Sequence, residues 1–221
     1  MGGTFNPIHN SHIYIANKAL SCLKLDKVLF IPNYIPPHKA TNALEKDEDR
    51  LNMVSLAIED NENFILSDIE LRRKGLSYSS DTLTELKTIF SKSTLYFIMG
   101  SDSFLNLRNW HEPETILKLA DIVVFVRSKE GDALDKCNAN NSKASDNLQD
   151  NNETYNKILE EKKYLEDNLN AHVHVIKTDV PALSSTYIRE NIHGEKKVER
   201  LVNPKVLNYI KEHKLYGGNS H

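Results

Sequence analysis

The chain has 221 residues, enough for one sizeable α/β domain or one domain carrying an insertion. Apolar residues make up 39% and charged residues 27%, with a formal net charge of -3, which suits a globular protein and gives no global basic field for nucleic acid or an anionic membrane surface. No apolar run is long enough to span a bilayer, the start rich in glycine, proline and histidine is not a signal peptide, and Cys22 and Cys137 fall in no metal or disulfide-framework spacing, so a reducing, cytoplasmic setting is expected.

In chain order, helix and strand alternate. Ser11 to Leu23 sets Ile13, Ile15, Ala16, Ala19, Leu20 and Leu23 on an apolar stripe at helical period. Lys27 to Pro32 is a short β-rich run closed by proline, and Asn33 to Leu44 is a loop stiffened by Pro36 and Pro37. Asp47 to Ile58 is again helical. Phe64 to Leu71 alternates as a half-buried strand does, and Ser79 to Phe90 reads as a helix with serines and Asp81 at its start. Leu95 to Met99 and Ile122 to Val126 are continuous apolar runs, suited to strands buried on both faces of a parallel sheet.

Composition then shifts. Ser128 to Asn152 is rich in Asn, Asp, Lys and Ser and is expected to be a flexible insertion, with Thr154 to Leu169 an exposed helix beside it. His172 to Ile176 is the last strand, and Ser185 to Ile192 and Pro204 to His213 are the closing helices. The alternation predicts one domain over 1–221, with a polar insertion at about 128–170. Its fold class is α/β, a Rossmann-like doubly wound parallel sheet with flanking helices that binds ligand beyond the carboxyl ends of its strands.

Two segments carry chemistry. In the first, Gly2 to His12, paired glycines let a backbone approach a phosphate, and the helix that follows presents N–H groups and a positive dipole end to an anion. His9 and His12, three apart, share a face on a helical turn and suit hydrogen bonding to phosphate oxygens as charge develops. A plain helix start with two surface histidines is the simpler alternative, and a zinc site would need further ligands. In the second segment, Ser184, Ser185 and Thr186 open a helix and Arg189 lies one turn on, which makes an anion site with a planar charged fork.

The first segment, G-G-T-F-N-P-I-H-N-S-H, resembles the signature G-G-T-F-[DN]-P-x-H-x-G-H, and L-S-S-T-Y-I-R resembles I-S-S-T-x-I-R, both of the H-x-G-H nucleotidyltransferase superfamily. Within it the chain is similar to the bacterial nicotinate-nucleotide adenylyltransferases. That narrower resemblance rests on P-P-H-K at Pro36 to Lys39, R-x-x-M at Arg50 to Met53, G-L-S-Y-S-S-D-T-L at Gly75 to Leu83, G-S-D-S at Gly100 to Ser103 and W-H-E-P at Trp110 to Pro113. It implies an enzyme of NAD biosynthesis that joins ATP and nicotinate mononucleotide into nicotinate adenine dinucleotide and releases pyrophosphate. The attacking phosphate is already ionised near neutral pH, so catalysis would be positioning plus charge stabilisation.

The same resemblance implies the roles of individual residues. His9 and His12 would be catalytic, on the ATP phosphates and the transition state. Gly3, Thr4 and Phe5 would lie against the nucleotides through backbone contacts, Gly100 and Asp102 at the ribose of ATP, and Ser185, Thr186 and Arg189 on the β- and γ-phosphates. Lys39 would face the acceptor phosphate, Trp110 would stack on the pyridine ring, and Tyr78 and Thr82 would lie on the nicotinate side. Arg127 is either a further anion contact or a surface charge, while His172 and His174 match nothing and are read as structural. Mg2+ is expected mainly through the ATP phosphates, without a dedicated protein metal site. The partners implied are the two small-molecule substrates, with no nucleic acid and no membrane, and a homo-oligomer is left open.

The sequence also departs from the pattern. Ser11 replaces the second-motif glycine. In the family a short apolar strand precedes G-G-T-F, where here only Met1 does, so a truncated first central strand and a working protein that extends upstream are expected. The rival readings are another adenylyl- or cytidylyltransferase of the superfamily, against which Trp110, Lys39 and the long C-terminal portion argue, and a nucleotide-binding remnant without activity.

Overall fold

Every strand pairing among the described residues of the computed structural model is parallel, and the structure describes residues 1–37, 44–127, 152–178, 183–194 and 198–217. In chain order the elements are β1 (Gly2–Gly3), α1 (Asn10–Leu23), β2 (Val28–Pro32), α2 (Asp47–Ile58), β3 (Phe64–Leu66), α3 (Ile69–Arg73), α4 (Ser79–Ile89), β4 (Tyr96–Gly100), α5 (Ser101–Leu105), a 3-10 turn (Leu107–Asn109), α6 (Pro113–Leu119), β5 (Asp121–Arg127), α7 (Asn152–Leu169), β6 (Val173–Thr178), α8 (Ser185–Asn191) and α9 (Pro204–Glu212). They divide into two compact units, Met1–Ser77 with Pro181–His221, and Tyr78–Val180. None of the described helices is long and apolar enough to cross a membrane.

The first unit is built on a sheet of order β1-β2-β3. Gly2 and Gly3, expected to follow a strand, are themselves paired with Ile31 and Pro32 of β2. Helix α1 turns Ala16 and Ala19 inward, and side chains this small let a helix lie close to its neighbours. It ends at Lys24 in the left-handed conformation. Helix α2 has an acidic first turn, favourable at the positive end of its dipole, and buries Met53, Val54 and Ile58. Strand β3 stops at Leu66, short of the expected Leu71, because the chain turns into α3. There Arg72 pairs back to Asp68 at 2.9 Å, and buried Glu70 accepts from Asn33 at 2.8 Å. Helix α9 lies on α2, where Tyr209 bonds both Asp49 and Asn52 at 2.9 Å. Cys22 on α1 is disulfide-bonded, and Cys137 lies outside the described residues.

The second unit carries a sheet of order β4-β5-β6. Ile122, Val124, Val126, Val173, Val175 and Met99 share a core with Phe104, Leu107, Ile116 and Leu83 from the helices. The sequence reading missed α6, which starts with Pro113 at a position where a missing N–H costs nothing. Helix α7 is exposed over most of its surface, as expected, but one face is not: Ile158 and Leu165 are fully buried, and Glu161 between them nearly so. The remainder of the predicted insertion, 128–151, lies outside the described residues.

Helix α7 also serves the end strand of this sheet. The His172 carbonyl accepts from Ile122 of β5 at 2.8 Å, so the backbone groups of the next residue, Val173, face away from β5. Glu166 accepts the Val173 N–H at 3.2 Å and Lys162 donates to its carbonyl, while the two side chains pair with each other at 3.2 Å. Both polar groups of that residue are thereby satisfied by one helical turn. Leu165→Ala is expected to lower unfolding free energy by about 3 kcal/mol through the cavity it leaves. Glu153→Ala, on the exposed face of α7, should leave the urea midpoint in place. Equal midpoints for wild type and Leu165→Ala would contradict the buried placement.

Candidate active site

The segment between β1 and α1 is shaped by Phe5. Its φ is 46°, a left-handed conformation that costs an L-residue about 1 kcal/mol. The ring is 1% exposed and packs edge-on to His12, with centroids 5.1 Å apart, and against Phe30 at 6.0 Å. It also fills the space beside Gly3, where an added Cβ would lie 3.2 Å from the ring. Any larger residue there would crowd the Phe5 ring.

The carbonyls of this segment turn into the protein. Arg50, fully buried, donates to Thr4 O at 2.9 Å and to Glu45 O at 3.3 Å, and pairs with Asp47. Arg189 donates to Asn6 O at 2.8 Å and Ser185 Oγ to Pro7 O at 2.9 Å. The Asn6 side-chain oxygen accepts from Glu45 N at 3.2 Å and from Tyr216 Oη at 3.0 Å. In a trans peptide C=O and N–H point opposite ways. The N–H groups of Phe5 and Ile8 therefore face away from Arg50 and Ser185, on the side an anion would use.

His9 precedes α1 and His12 lies in its first turn, with rings stacked at 3.7 Å and 23°. The His9 N–H donates to His12 Nδ1 at 3.2 Å. With Nδ1 accepting, a neutral His12 carries its proton on Nε2, which makes that atom a donor. Asn10 ties the helix start to the chain near its end, through N–H to Leu201 O and Nδ2 to Arg200 O, each at 2.9 Å. Ser11 is buried, and its hydroxyl has no hydrogen-bond partner among the described residues. On α8, Ser184 caps the Tyr187 N–H at 3.1 Å and Arg189 donates to Thr186 Oγ1 at 3.1 Å. The structure thus brings together Gly3, Thr4, Phe5, His9, His12, Ser185, Thr186 and Arg189 in the first unit, an arrangement of N–H donors suited to a polyphosphate.

The other predicted residues, apart from Lys39, belong to the second unit. Gly100 ends β4 and Asp102 is exposed in α5. Trp110 is half-buried behind the 3-10 turn, edge-on to Phe97 at 6.2 Å. The Tyr78 ring lies 4.2 Å from that of His111. Thr82 is buried and its hydroxyl donates to Tyr78 O at 3.2 Å, so this contact supports the start of α4. His172 and His174 flank the Asp121 carboxylate at 3.3 and 3.4 Å. Lys39 lies outside the described residues, as does the side chain of Arg127. Sequence reasoning gave no part to Glu45 or Tyr216 and no task to Arg50. Arg50 was visible only as part of a motif, and Tyr216 carries no local signal.

The cytidylyltransferase-like family matches residues 1–191. A protein of Clostridium tetani named probable nicotinate-nucleotide adenylyltransferase is 36% identical over 217 residues, covering 97% of this chain and 96% of that one. One of Dehalococcoides mccartyi strain CBDB1 with the same name is 36% identical over 221 residues, covering 98% and 95%. Among solved structures, Plasmodium falciparum nicotinic acid mononucleotide adenylyltransferase complexed with NaAD is similar with a TM-score of 0.71 at 18% identity, over 100% of this chain and 97% of that one. This likeness shows the fold, a Rossmann-like α/β arrangement of parallel sheets flanked by helices.

Burial, and after it the Glu45 carboxylate, push the Tyr216 hydroxyl well above its ordinary value of 10.0. The folded state keeps this proton where the unfolded chain has lost it, so its contribution holds below pH 10 and falls away as pH rises beyond that. Tyr216→Phe is expected to cost about 1 kcal/mol at neutral pH. It should also flatten the alkaline decline in urea midpoint, and identical declines in the two proteins would overturn this account.

Proposed function

We propose a function from one premise: the chain belongs to the cytidylyltransferase-like family and, within it, to the nicotinate-nucleotide adenylyltransferases. It transfers the adenylyl group of ATP to nicotinate mononucleotide, forming nicotinate adenine dinucleotide and pyrophosphate, a step of NAD biosynthesis. The observation that carries this reading is the stacked His9–His12 pair at the start of α1, beside a segment in which the Thr4, Asn6 and Pro7 carbonyls are turned inward.

A phosphate oxygen of the mononucleotide attacks the α-phosphorus of ATP. The bond from that phosphorus to the bridging oxygen breaks, and pyrophosphate leaves with the electron pair. His9 and His12 donate to the phosphates as charge develops. Gly3, Thr4 and Phe5 meet the nucleotide through their backbone. Ser185, Thr186 and Arg189 take the β- and γ-phosphates, Arg189 with the donors that Asn6 and Thr186 do not use. Gly100 and Asp102 take the ribose, Lys39 the acceptor phosphate, Trp110 the face of the pyridine ring, and Tyr78 and Thr82 the nicotinate side. The cation we assign to ATP is Mg2+. Imidazole and guanidinium nitrogens do not suit this hard, oxygen-preferring ion, so it rides on the phosphates. We also infer one nucleotidyltransferase domain over the whole chain, and a cytoplasmic setting, where ATP is made available and thiol pools would open the disulfide at Cys22.

Pyrophosphate release, measured with ATP and either nicotinate or nicotinamide mononucleotide, tests the activity; turnover with neither would overturn it. His12→Ala is expected to lower kcat by roughly a hundredfold while the Michaelis constants change little. A rise confined to KM would remove its transition-state role. Trp110→Ala should raise KM for nicotinate mononucleotide roughly tenfold and leave ATP unaffected.

A further inference from the structure

We propose that Arg108, Glu161 and Tyr164 form a positioning tie that sets the Trp110 ring, so that helix α7 governs affinity for the acceptor nucleotide. The tie rests on the reading above that Trp110 meets the pyridine ring. Arg108 lies in the 3-10 turn immediately before Trp110, and the Trp110 N–H closes that turn on Leu107 O at 3.0 Å. Leu107 is fully buried and fixes the turn to the core on one side. Arg108 fixes it on the other. Its Nη2 donates to Glu161 Oε2 at 2.9 Å, its Nε approaches Oε1 at 2.9 Å, and its guanidinium lies 4.5 Å from the centroid of the Tyr164 ring.

The placement of Glu161 is the informative part. Its side chain is 9% exposed and sits on the apolar stripe of α7 between Ile158 and Leu165. A carboxylate there is costly unless paired, and an apolar residue would serve stability as well or better. What the charge provides is geometry. One hydrogen bond and a second ion contact to the carboxylate, with an aromatic ring on the other side, favour one orientation of the half-exposed guanidinium, and with it of the backbone that delivers Trp110. Glu161 and Arg108 are therefore positioning residues that act through Trp110, on a helix that the sequence had marked only as exposed.

Trp110 is the sole tryptophan of the chain, so its emission in the full-length protein reports this position alone. Glu161→Gln and Arg108→Met are expected to shift Trp110 emission and its quenching by acrylamide before any substrate is added. They should raise KM for nicotinate mononucleotide roughly tenfold, with KM for ATP and kcat near wild type. Arg108→Lys should recover part of both effects, and Glu153→Gln, on the exposed face of α7, should match wild type throughout. The double variant Arg108→Leu/Glu161→Leu removes both charges together and replaces either single variant that fails to fold. Unshifted emission in a cooperatively folded variant overturns the tie. Shifted emission with an unchanged KM for the mononucleotide leaves the tie to Trp110 standing, but overturns its control of affinity along with the stacking role of Trp110. A parallel rise in both Michaelis constants overturns it as general damage.

Discussion

Phe5 holds a backbone conformation that an L-residue reaches only at a cost, and it is kept there by a ring buried beside Gly3, His12 and Phe30. Much of the first unit follows from that constraint. Around Phe5 the carbonyls of Thr4, Asn6 and Pro7 turn inward, and each must then find a donor or remain orphaned. The chain supplies those donors from Arg50, Arg189 and Ser185, residues distant in sequence. Strain at one residue is thus offset by several hydrogen bonds to its neighbours. The segment that bears the histidines is fixed from both sides, by apolar packing beneath and by charged donors around it.

The same residues tie the two ends of the chain to one loop. Asn6 alone receives protons from Glu45, Arg189 and Tyr216, and the start of α1 is held to Arg200 and Leu201. Arg189 therefore both holds the loop and, in the proposed reading, meets phosphate. This double use explains why a phosphate site can be preorganised: the donor is already oriented before ligand arrives, so little ordering remains to be done on binding.

What was legible in the sequence was whatever repeats at short range. Helix α2 declared itself through its apolar residues, and the structure places it at the expected residues, Asp47–Ile58. The buried strands β4 and β5 announced themselves as unbroken apolar runs. The residues of both motifs were legible as well, and the fold places them in one unit. Less legible was anything decided at long range. Phe64 to Leu71 alternates like a strand throughout, yet β3 ends at Leu66, where local ion pairing favours a helix turn. Helix α7 read as exposed because charged residues surround Ile158 and Leu165, and only the fold shows that Lys162 and Glu166 spend their charge on a backbone. Tyr216 follows the last helix with no motif around it, and its task exists only because the fold returns it to Asn6, 210 residues earlier.

The pairing of Glu166 and Lys162 with Val173 reaches beyond the fold of one molecule. A strand at the end of a sheet offers its outward N–H and C=O groups to any other extended chain, and that offer is the usual route to strand-to-strand association. At Val173 both groups are already taken, by a carboxylate and an ammonium that would also oppose an approaching apolar strand. At this one position, a helix whose sequence looked like surface decoration leaves an approaching strand no free backbone group.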